Sequence, residues 1–351
     1  MTVPMLSVRA LNRTLLARQE LLERRLDDPV AVMESMGGIQ MQYAPAGYIG
    51  LWSRVLRFER STLTRLLEER RAIQGTLLRA TIHTVSAADY WPTMAGIGRA
   101  NREWYARVQA REIGSTHLPA VAAAVREELA AGPMRITELS TRIEARGFPA
   151  RATAWASTWV PMVRVPPSGT WERRRADLYA LADGWLPPER AITEDEGIAH
   201  LVRRYLGAFG PAPMRDIATW MGLSVGQVRH VAGAMELRPY RDESGRALVD
   251  LPELEVVSGD QPAPPRFLAV WDAALLVHAR RTQILPEPHR PRVFNTRTPH
   301  SVNTFLVDGR VAGTWRYVDD DIALSPFGRL APAERAGLED EAHRLAAFHR
   351  D

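Results

Sequence analysis

The segment Gly37-Gly38-Ile39-Gln40-Met41-Gln42-Tyr43-Ala44-Pro45 lies between two signals that interrupt helices. Glycine readily adopts the left-handed backbone of a helix exit, so the glycine pair is predicted to close a preceding helix. The closing proline disfavours helical backbone at the alanine before it. The residues between these signals are therefore predicted to be extended.

The two glutamines of this segment are candidate functional groups. In an extended chain, alternate residues face the same side, which brings Gln40 and Gln42 together and turns Met41 toward the core. Each carboxamide donates and accepts hydrogen bonds, so the pair can hold a water molecule or a polar substrate. The alternative is a pair of loop glutamines that bond solvent or nearby backbone.

Composition limits the class of protein. With 351 residues, 46% of them hydrophobic, the chain is long enough for two to four packed domains. It contains no cysteine, which excludes disulfides, thiol catalysis and cysteine zinc sites. The start of the chain lacks an apolar signal core, and no apolar run is long enough to span a bilayer. We therefore expect a cytoplasmic protein without membrane contact.

The charged residues are compatible with a nucleic-acid partner. The formal net charge is +4, and all 45 basic residues are arginine. The planar guanidinium fork suits phosphate, so this bias would serve DNA binding. A GC-rich coding sequence would produce the same bias. The charge therefore permits nucleic-acid binding but does not demand it.

The segments around the glutamine pair predict a winged-helix unit. Ser7 is placed to cap a first helix, and Asp28-Pro29 to open a second that stops at the glycine pair. A third helix is predicted to begin near Ser61. The run from Thr76 to Val85 is rich in β-branched residues and is predicted to form strand structure. Three helices followed by strands is the order of a winged helix, a helix-turn-helix variant.

Two similar helical units and a β-rich end follow. Helices are predicted over 118–143, broken at Gly132-Pro133, and Ser224 is placed to cap a helix in the position of a recognition helix. Near the end, Asp308-Gly309 between two strand-like runs predicts a hairpin. We therefore predict a mainly α fold with β wings: tandem winged-helix (helix-turn-helix) modules plus a small C-terminal β-rich domain. The predicted domains are winged-helix modules over 1–117, 118–190 and 191–257, and a β-rich domain with a closing helix over 258–351.

Common catalytic motifs are absent from the sequence. There is no phosphate-cradling glycine loop and no His-Glu-x-x-His. The Gly-x-Ser-x-Gly match at 222–226 follows a predicted helix instead of a strand, and its Ser224 is placed as a helix cap, so it is not a nucleophile elbow. The nine histidines do not cluster at the spacing of metal ligands. We therefore expect no metal and no cofactor.

Several stretches together resemble the AlkZ/YcaQ-type winged-helix DNA glycosylases, over nearly the whole chain. They are Leu11-Asn-Arg-Thr-Leu-Leu-Ala-Arg-Gln19, Gln40-Met-Gln42, Arg79-Ala-Thr-Ile-His83, Asp89-Tyr-Trp91, Tyr205-Leu-Gly-Ala-Phe-Gly-Pro211 with Trp220, Trp271-Asp272 with His278 and Arg281, and Phe305-Leu-Val-Asp-Gly309 with Gly313-Thr-Trp315. Ala80 departs from the Arg-Gly-Thr form that the resemblance leads us to expect.

The resemblance implies a function. In that family, winged-helix modules surround DNA, and a Gln-hydrophobic-Gln or Gln-hydrophobic-Asp motif lies at the reaction centre. The Gln–Gln form of the motif in this chain resembles the form found in one branch of the family. That branch removes bulky N7-alkylguanine adducts and unhooks interstrand crosslinks. It implies a monofunctional, cofactor-independent glycosylase, monomeric on duplex DNA, with Gln40 and Gln42 as catalytic residues. The alternative is a non-catalytic winged-helix DNA-binding protein or transcriptional regulator.

Further side chains are candidate contacts to DNA or to a lesion. Six are named by the resemblance or by their position: Tyr43, Arg79, His83, Trp271, Asp272 and His278. Each has a structural alternative, such as a core aromatic ring, a surface arginine or a hydrogen-bonded histidine. Five arginines are candidate phosphate contacts, with solvated surface as their alternative: Arg173, Arg174, Arg175, Arg203 and Arg204.

Overall fold

Helices dominate the chain, and strands form short wings between them and a sheet near the C-terminus. The structure is a computed structural model that describes residues 3–26, 28–113, 116–187, 191–276, 278–294 and 301–351, without the side chains of 109–113. None of the helices in these ranges is long and apolar enough to cross a membrane.

The first unit begins as predicted from its caps. The Ser7 side chain accepts the Ala10 N–H at 3.0 Å, and the Asp28 side chain accepts the Val30 N–H at 3.0 Å. Its elements are β1 (Met5–Leu6), α1 (Val8–Arg18), α2 (Pro29–Ser35), β2 (Ile39–Gln40), α3 (Ala44–Trp52), α4 (Arg60–Glu68), β3 (Ala72–Thr76), β4 (Ile82–Ser86) and α5 (Ala87–Ile113).

Two features of this unit differ from the sequence prediction. Helix α3 was not predicted, because all nine of its residues are buried and it shows no amphipathic period. The run from Thr76 to Val85 was expected to form strand structure, but a 3-10 turn over Leu78–Ala80 interrupts it. That turn makes β3 and β4 the two arms of a hairpin.

The second and third units repeat the helical order and add their own wings. In the second unit the elements are α6 (Leu118–Leu129), β5 (Met134–Arg135), α7 (Ile136–Ala145), α8 (Ala152–Trp155), β6 (Met162–Arg164), β7 (Leu178–Leu181) and α9 (Ala182–Trp185). In the third they are α10 (Glu194–Phe209), α11 (Met214–Met221), α12 (Val225–Ala232), β8 (Arg238–Asp242) and β9 (Ala247–Asp250). Ser224 caps α12, as predicted.

The C-terminal region is a small sheet closed by a long helix. Its elements are β10 (Arg266–Leu268), α13 (Arg290–Val293), β11 (Thr304–Val307), β12 (Arg310–Val318), β13 (Asp321–Pro326) and α14 (Pro332–Arg350). The hairpin predicted at Asp308-Gly309 is confirmed, since it joins the antiparallel strands β11 and β12.

Strand pairing joins parts of the chain that are distant in sequence. The wings of the first two units form one antiparallel sheet in the order β2-β4-β3-β6-β7-β5, and β1 pairs in parallel with β8 of the third unit. Both pairings cross the predicted boundary at residue 117. The division into four domains therefore stays a prediction, although residues 118–181 have a hydrophobic core of their own.

The first helix also ties the two ends of the chain together. The Asn12 side chain donates to the Gly309 carbonyl at 2.8 Å, and Arg13 donates to the Asp308 carbonyl at 3.1 Å. Gly309 has left-handed backbone with φ 73°, which glycine adopts without strain, and a Cβ there would lie 2.5 Å from Leu16 Cδ1. The stretch from Leu11 to Gln19 thus anchors the C-terminal hairpin.

Candidate functional site

The glycine pair before the glutamines ends α2, as the sequence predicted. Gly37 and Gly38 have φ values of 73° and 82°, and the Gly38 N–H donates to the Met33 carbonyl at 3.0 Å. A Cβ on Gly38 would lie 2.9 Å from Val85 Cγ1. The turn therefore brings the chain directly onto the edge of the joined sheet.

The two glutamines differ in exposure. Gln40 is the last residue of the edge strand β2, opposite His83, and is 8% exposed. Met41 continues the pairing through its N–H to the Ile82 carbonyl at 2.8 Å, and its side chain is buried, as predicted. Gln42 is exposed, and its carboxamide has no hydrogen-bond partner within the described residues. Of the two carboxamides, only that of Gln42 is thus exposed.

The effect expected of Pro45 on the preceding residue is wrong. Helix α3 already begins at Ala44, and Pro45 occupies its first turn, where a missing N–H costs nothing. The extended backbone ends one residue earlier, at Tyr43, with φ −122° and ψ 111°. The glutamine pair therefore lies in a tight strand-to-helix connection.

Arg79 contacts Gln40 from the β3–β4 turn. Its Nη2 donates to Gln40 Oε1 at 3.5 Å, a long hydrogen bond, and its Nη1 donates to the Trp220 carbonyl. Arg79 and Ala80 both have left-handed backbone, with φ of 53° and 57°. Glycine would adopt this conformation without strain, which explains why a glycine is expected at position 80. Burial lowers the pKa of Arg79 to about 10, with a contribution from the charge of Arg281.

His83 is a buried neutral histidine beside Gln40. Its Nδ1 lies 3.1 Å from the Thr81 carbonyl, and because a carbonyl only accepts, Nδ1 carries the ring proton. Burial, with the charge of Arg79, lowers the pKa of His83 to about 3. Its Nε2 is then a buried acceptor without a partner in the described part of the chain.

His278 lies in a second buried layer behind Arg79. Arg281 Nη2 donates to His278 Nε2 at 2.8 Å, and its Nη1 donates to the Ala273 and Ala274 carbonyls at 3.2 and 3.1 Å. Burial, and then the charges of Arg281 and Arg79, hold the pKa of His278 well below its ordinary value. Tyr205 packs edge-on against the imidazole at 5.7 Å.

Sequence reasoning did not select Arg281, Tyr205 or Trp220 as site residues. The resemblance included all three, but no local pattern separates them from core residues. What unites them is proximity to Arg79 across distant elements, which only the fold reveals.

Asp272 and Trp271 have different surroundings from the glutamine pair. Asp272 forms a two-pronged ion pair with Arg54 at 2.8 and 2.9 Å, and neither side chain is exposed. It also accepts the Ala274 N–H at 3.0 Å. Trp271 has left-handed backbone with φ 56°, and its N–H donates to Ser301 Oγ at 2.7 Å. The Asp272 carboxylate is therefore inaccessible to a ligand in this structure.

Tyr43 connects the motif to the second unit. It is 40% exposed, and its hydroxyl accepts a hydrogen bond from Arg174 Nη1 at 3.0 Å. Arg173 and Arg175 are exposed on the same loop. Arg204, by contrast, is held by Asp89 and Glu34 at 2.7 and 3.0 Å.

Fold and site together define a class: a multi-unit winged-helix protein with an amide pair at the edge of its joined sheet. The family model described as DNA glycosylase AlkZ-like matches residues 33–348. The chain therefore belongs to the AlkZ-like DNA glycosylase family, which confirms the resemblance found in the sequence.

Two individual proteins that are similar to this chain come from Streptomyces sahachiroi. A curated relative named interstrand DNA cross-link repair glycosylase is 29% identical over 160 residues. This alignment spans 43% of each protein, so the chain covers less than half of that relative's length. The solved structure of DNA glycosylase AlkZ from this organism matches with a TM-score of 0.84 at 20% identity, covering 98% of this chain and 97% of that one. The likeness shows that the two share a fold.

Proposed function

We propose that this protein is a monofunctional DNA glycosylase that hydrolyses the N-glycosidic bond of N7-alkylated, cationic purines in duplex DNA. Its substrates include bulky and interstrand-crosslinked adducts, and its role is DNA repair or self-resistance to a genotoxic natural product. Family membership and the name of the Streptomyces sahachiroi relative support this proposal.

One observation carries the proposal. Exposed Gln42 lies two residues from Gln40, whose oxygen faces the Arg79 guanidinium. No carboxylate takes part in the hydrogen bonds made by Gln40, Arg79 or His83 within the described residues. Such a neutral group of side chains is suited to orienting water and is a poor general base.

The substrate chemistry fits a weak catalyst. Alkylation at N7 gives guanine a positive charge, so the base departs as a neutral molecule without a protein acid. The enzyme then needs to place a water molecule at the anomeric carbon and to stabilise an oxocarbenium-like transition state. An undamaged base is a worse leaving group, so side chains that only orient water release it poorly, and normal DNA is spared.

The glutamines have separate tasks in this proposal. Gln42 orients the attacking water, since its carboxamide is exposed. Gln40 positions the motif. Because the Oε1 of Gln40 faces Arg79, the amide hydrogens of Gln40 point away from Arg79. The unpartnered Nε2 of His83, on the strand opposite, adds an acceptor to this region.

Exposed arginines beside the motif supply phosphate contacts. Arg173, Arg174 and Arg175 line a cavity of about 520 Å³ together with Arg135 and Asp177, and Arg174 reaches Tyr43. Arginine forks suit phosphate oxygens, and such contacts weaken as salt rises. They place the DNA backbone within reach of the glutamines.

The exposure of Gln42 suits a lesion that remains in the helix. Many glycosylases rotate the target nucleotide into a closed pocket. A crosslinked guanine is tethered to the opposite strand and cannot rotate freely. In our proposal Gln42 reaches the sugar from a groove, while the base stays largely stacked.

The test is base release from a duplex that contains a single N7-methylguanine, in the presence of a metal chelator. We expect free N7-methylguanine and an abasic site, with the strand intact until alkali is added. No release, together with tight binding of one undamaged sequence, would contradict the proposal and favour a transcriptional regulator. A crosslinked duplex, assayed separately, decides whether unhooking belongs to the activity.

A further inference from the structure

A cavity of about 370 Å³ opens one residue from Gln42. Tyr43 and the first turns of α3 form one side, and the second unit and the C-terminal sheet form the others. Five ring side chains line it: Tyr43, Trp171, Trp315, Tyr317 and His349. Its volume lies in the range of small-molecule sites.

The rings of this cavity are held in fixed orientations. His349 stacks on Tyr317 with centroids 4.2 Å apart and an interplanar angle of 16°. Trp171 meets His349 edge-on at 5.2 Å. Trp171 and Trp315 are almost fully buried, so the cavity has rigid aromatic walls. Such walls accept another flat ring by stacking or by edge contact.

Charge around the cavity narrows the kind of ring that fits. Arg174 and Arg316 line it, and the Arg60 guanidinium lies 4.9 Å from the Trp171 ring. Burial, with the charges of Arg60 and Arg174, lowers the pKa of His349 to about 4, so its imidazole is neutral. Its buried Nε2 has no hydrogen-bond partner in the described residues. These features favour a neutral or anionic ring with a polar substituent over a cationic one.

We propose that this cavity binds the aromatic part of a bulky adduct, while the alkylated nucleotide is engaged at Gln42. The inference rests on the proposed function, because the adduct reaches the cavity only if its guanine lies at the motif. Tyr43 follows Gln42 directly in the chain and lines the cavity, so the cavity opens beside the side chain that is proposed to engage the alkylated nucleotide. Small adducts leave it empty.

The test compares three duplexes that differ only in the group on N7 of one guanine: methyl, benzyl or cyclohexylmethyl. Benzyl and cyclohexylmethyl have similar bulk, but only benzyl is aromatic. Ring stacking predicts that the wild-type protein binds the benzyl duplex about tenfold more tightly than the cyclohexylmethyl duplex. Val318→Trp fills the cavity from an exposed position, and Val108→Trp on α5 is the matched control.

We expect Val318→Trp to lose the benzyl preference and to retain affinity for the methyl duplex, whereas Val108→Trp keeps both. Equal affinities for benzyl and cyclohexylmethyl in the wild type, or an unchanged preference in Val318→Trp, would overturn the inference. Base release is measured on the same duplexes. Absence of release from all three, with the benzyl preference intact, would contradict the proposed function while supporting the cavity as a ring-binding site.

Discussion

Among single residues, Gln40 accepts a hydrogen bond from Arg79, which lies 39 positions away in the sequence. Arg79 reaches it from a turn whose backbone is left-handed at two non-glycine residues. Such backbone costs about 1–2 kcal/mol per residue and persists only where the surrounding structure holds it. The contact of Arg79 with Trp220 supplies part of that support.

The first prediction concerns this contact. Arg79→Met is expected to slow N7-methylguanine release by about tenfold or more, because Gln40 loses its orienting partner. Gln40→Ala should have a similar effect, and the double variant should be little slower than either single one. Single-turnover rates and duplex affinity are measured together. If the rate of the double variant fell by the product of the two single reductions, the two residues would act independently.

Buried neutral histidines make the fold sensitive to acid. The folded-state pKa of His83 is about 3, and that of His278 is well below its ordinary value of about 6.5. Between about pH 3 and pH 6.5, His83 binds a proton in the unfolded chain but not in the folded chain. The free energy of unfolding therefore falls as pH drops below about 6.5, by about 2 kcal/mol at pH 5 for His83, and His278 contributes in the same direction.

The second prediction follows from this proton linkage. The melting temperature should decrease from pH 7.5 to pH 5, and His83→Gln should reduce that decrease, since the variant has no proton to exclude. His343→Gln, at an exposed position, is the control and should retain the wild-type decrease. Identical pH profiles for wild type and His83→Gln would contradict the assigned neutral state.

At the scale of elements, helices α5 and α10 cross at a point where both carry glycine. A Cβ on Gly197 would lie 2.3 Å from the Gly96 nitrogen and 2.7 Å from the Pro92 carbonyl oxygen. Backbone atoms cannot yield as a flexible side chain does. The crossing sets how the third unit packs on the first.

The third prediction tests this crossing. Gly197→Ala should lower the free energy of unfolding by about 2 kcal/mol or more, because the methyl group forces the helices apart. Gly207 lies in the same helix, and a Cβ added there would have no atom within 4 Å, so Gly207→Ala should be neutral or stabilising by up to about 1 kcal/mol. Denaturant unfolding of both variants gives the comparison. If both variants lost a similar free energy of unfolding, the close contact between Gly96 and Gly197 would not be what determines the packing of α5 on α10.

Local signals account for the elements that the sequence predicted correctly. Ser7, Asp28 and Ser224 cap helices through hydrogen bonds to nearby N–H groups, and such caps are visible in a few residues of sequence. Helix α3 escaped prediction because burial on all sides removes periodicity. The turn at Arg79 escaped because it contains no glycine, proline or asparagine.

At the scale of the whole molecule, the Arg54–Asp272 ion pair joins the first unit to the C-terminal region. Both side chains are fully buried, and the two residues are 218 positions apart. We infer that Asp272 serves stability; its candidacy for lesion binding, which the resemblance implies, stays a prediction.

The fourth prediction separates these roles. Asp272→Asn should destabilise the protein by about 3–5 kcal/mol, because the Arg54 charge is left buried without its partner. The rate of base release by the remaining folded protein should be unchanged. Arg54→Met with Asp272→Leu should recover much of the stability. A stable Asp272→Asn protein with slow base release would return Asp272 to the reaction.

Long-range pairing explains which parts of the site escaped prediction. The resemblance supplied Gln40 and Gln42, and the i, i+2 spacing predicted that Met41 would turn into the core. The contacts around the pair come from other elements: Arg79 of the hairpin bonds to Gln40, Arg174 of the second unit bonds to Tyr43, and Arg281 of the C-terminal region lies near Arg79. No spacing within one stretch of sequence encodes that assembly.

The rate of N7-methylguanine release by Gln42→Ala shows whether the exposed carboxamide takes part in the reaction. The exposed carboxamide is proposed to orient the attacking water, so the single-turnover rate should fall about a hundredfold or more, with folding and duplex affinity preserved. Gln42→Asn, which retains the amide on a shorter side chain, is expected to be intermediate. A wild-type rate in Gln42→Ala would contradict the account and place the reaction elsewhere.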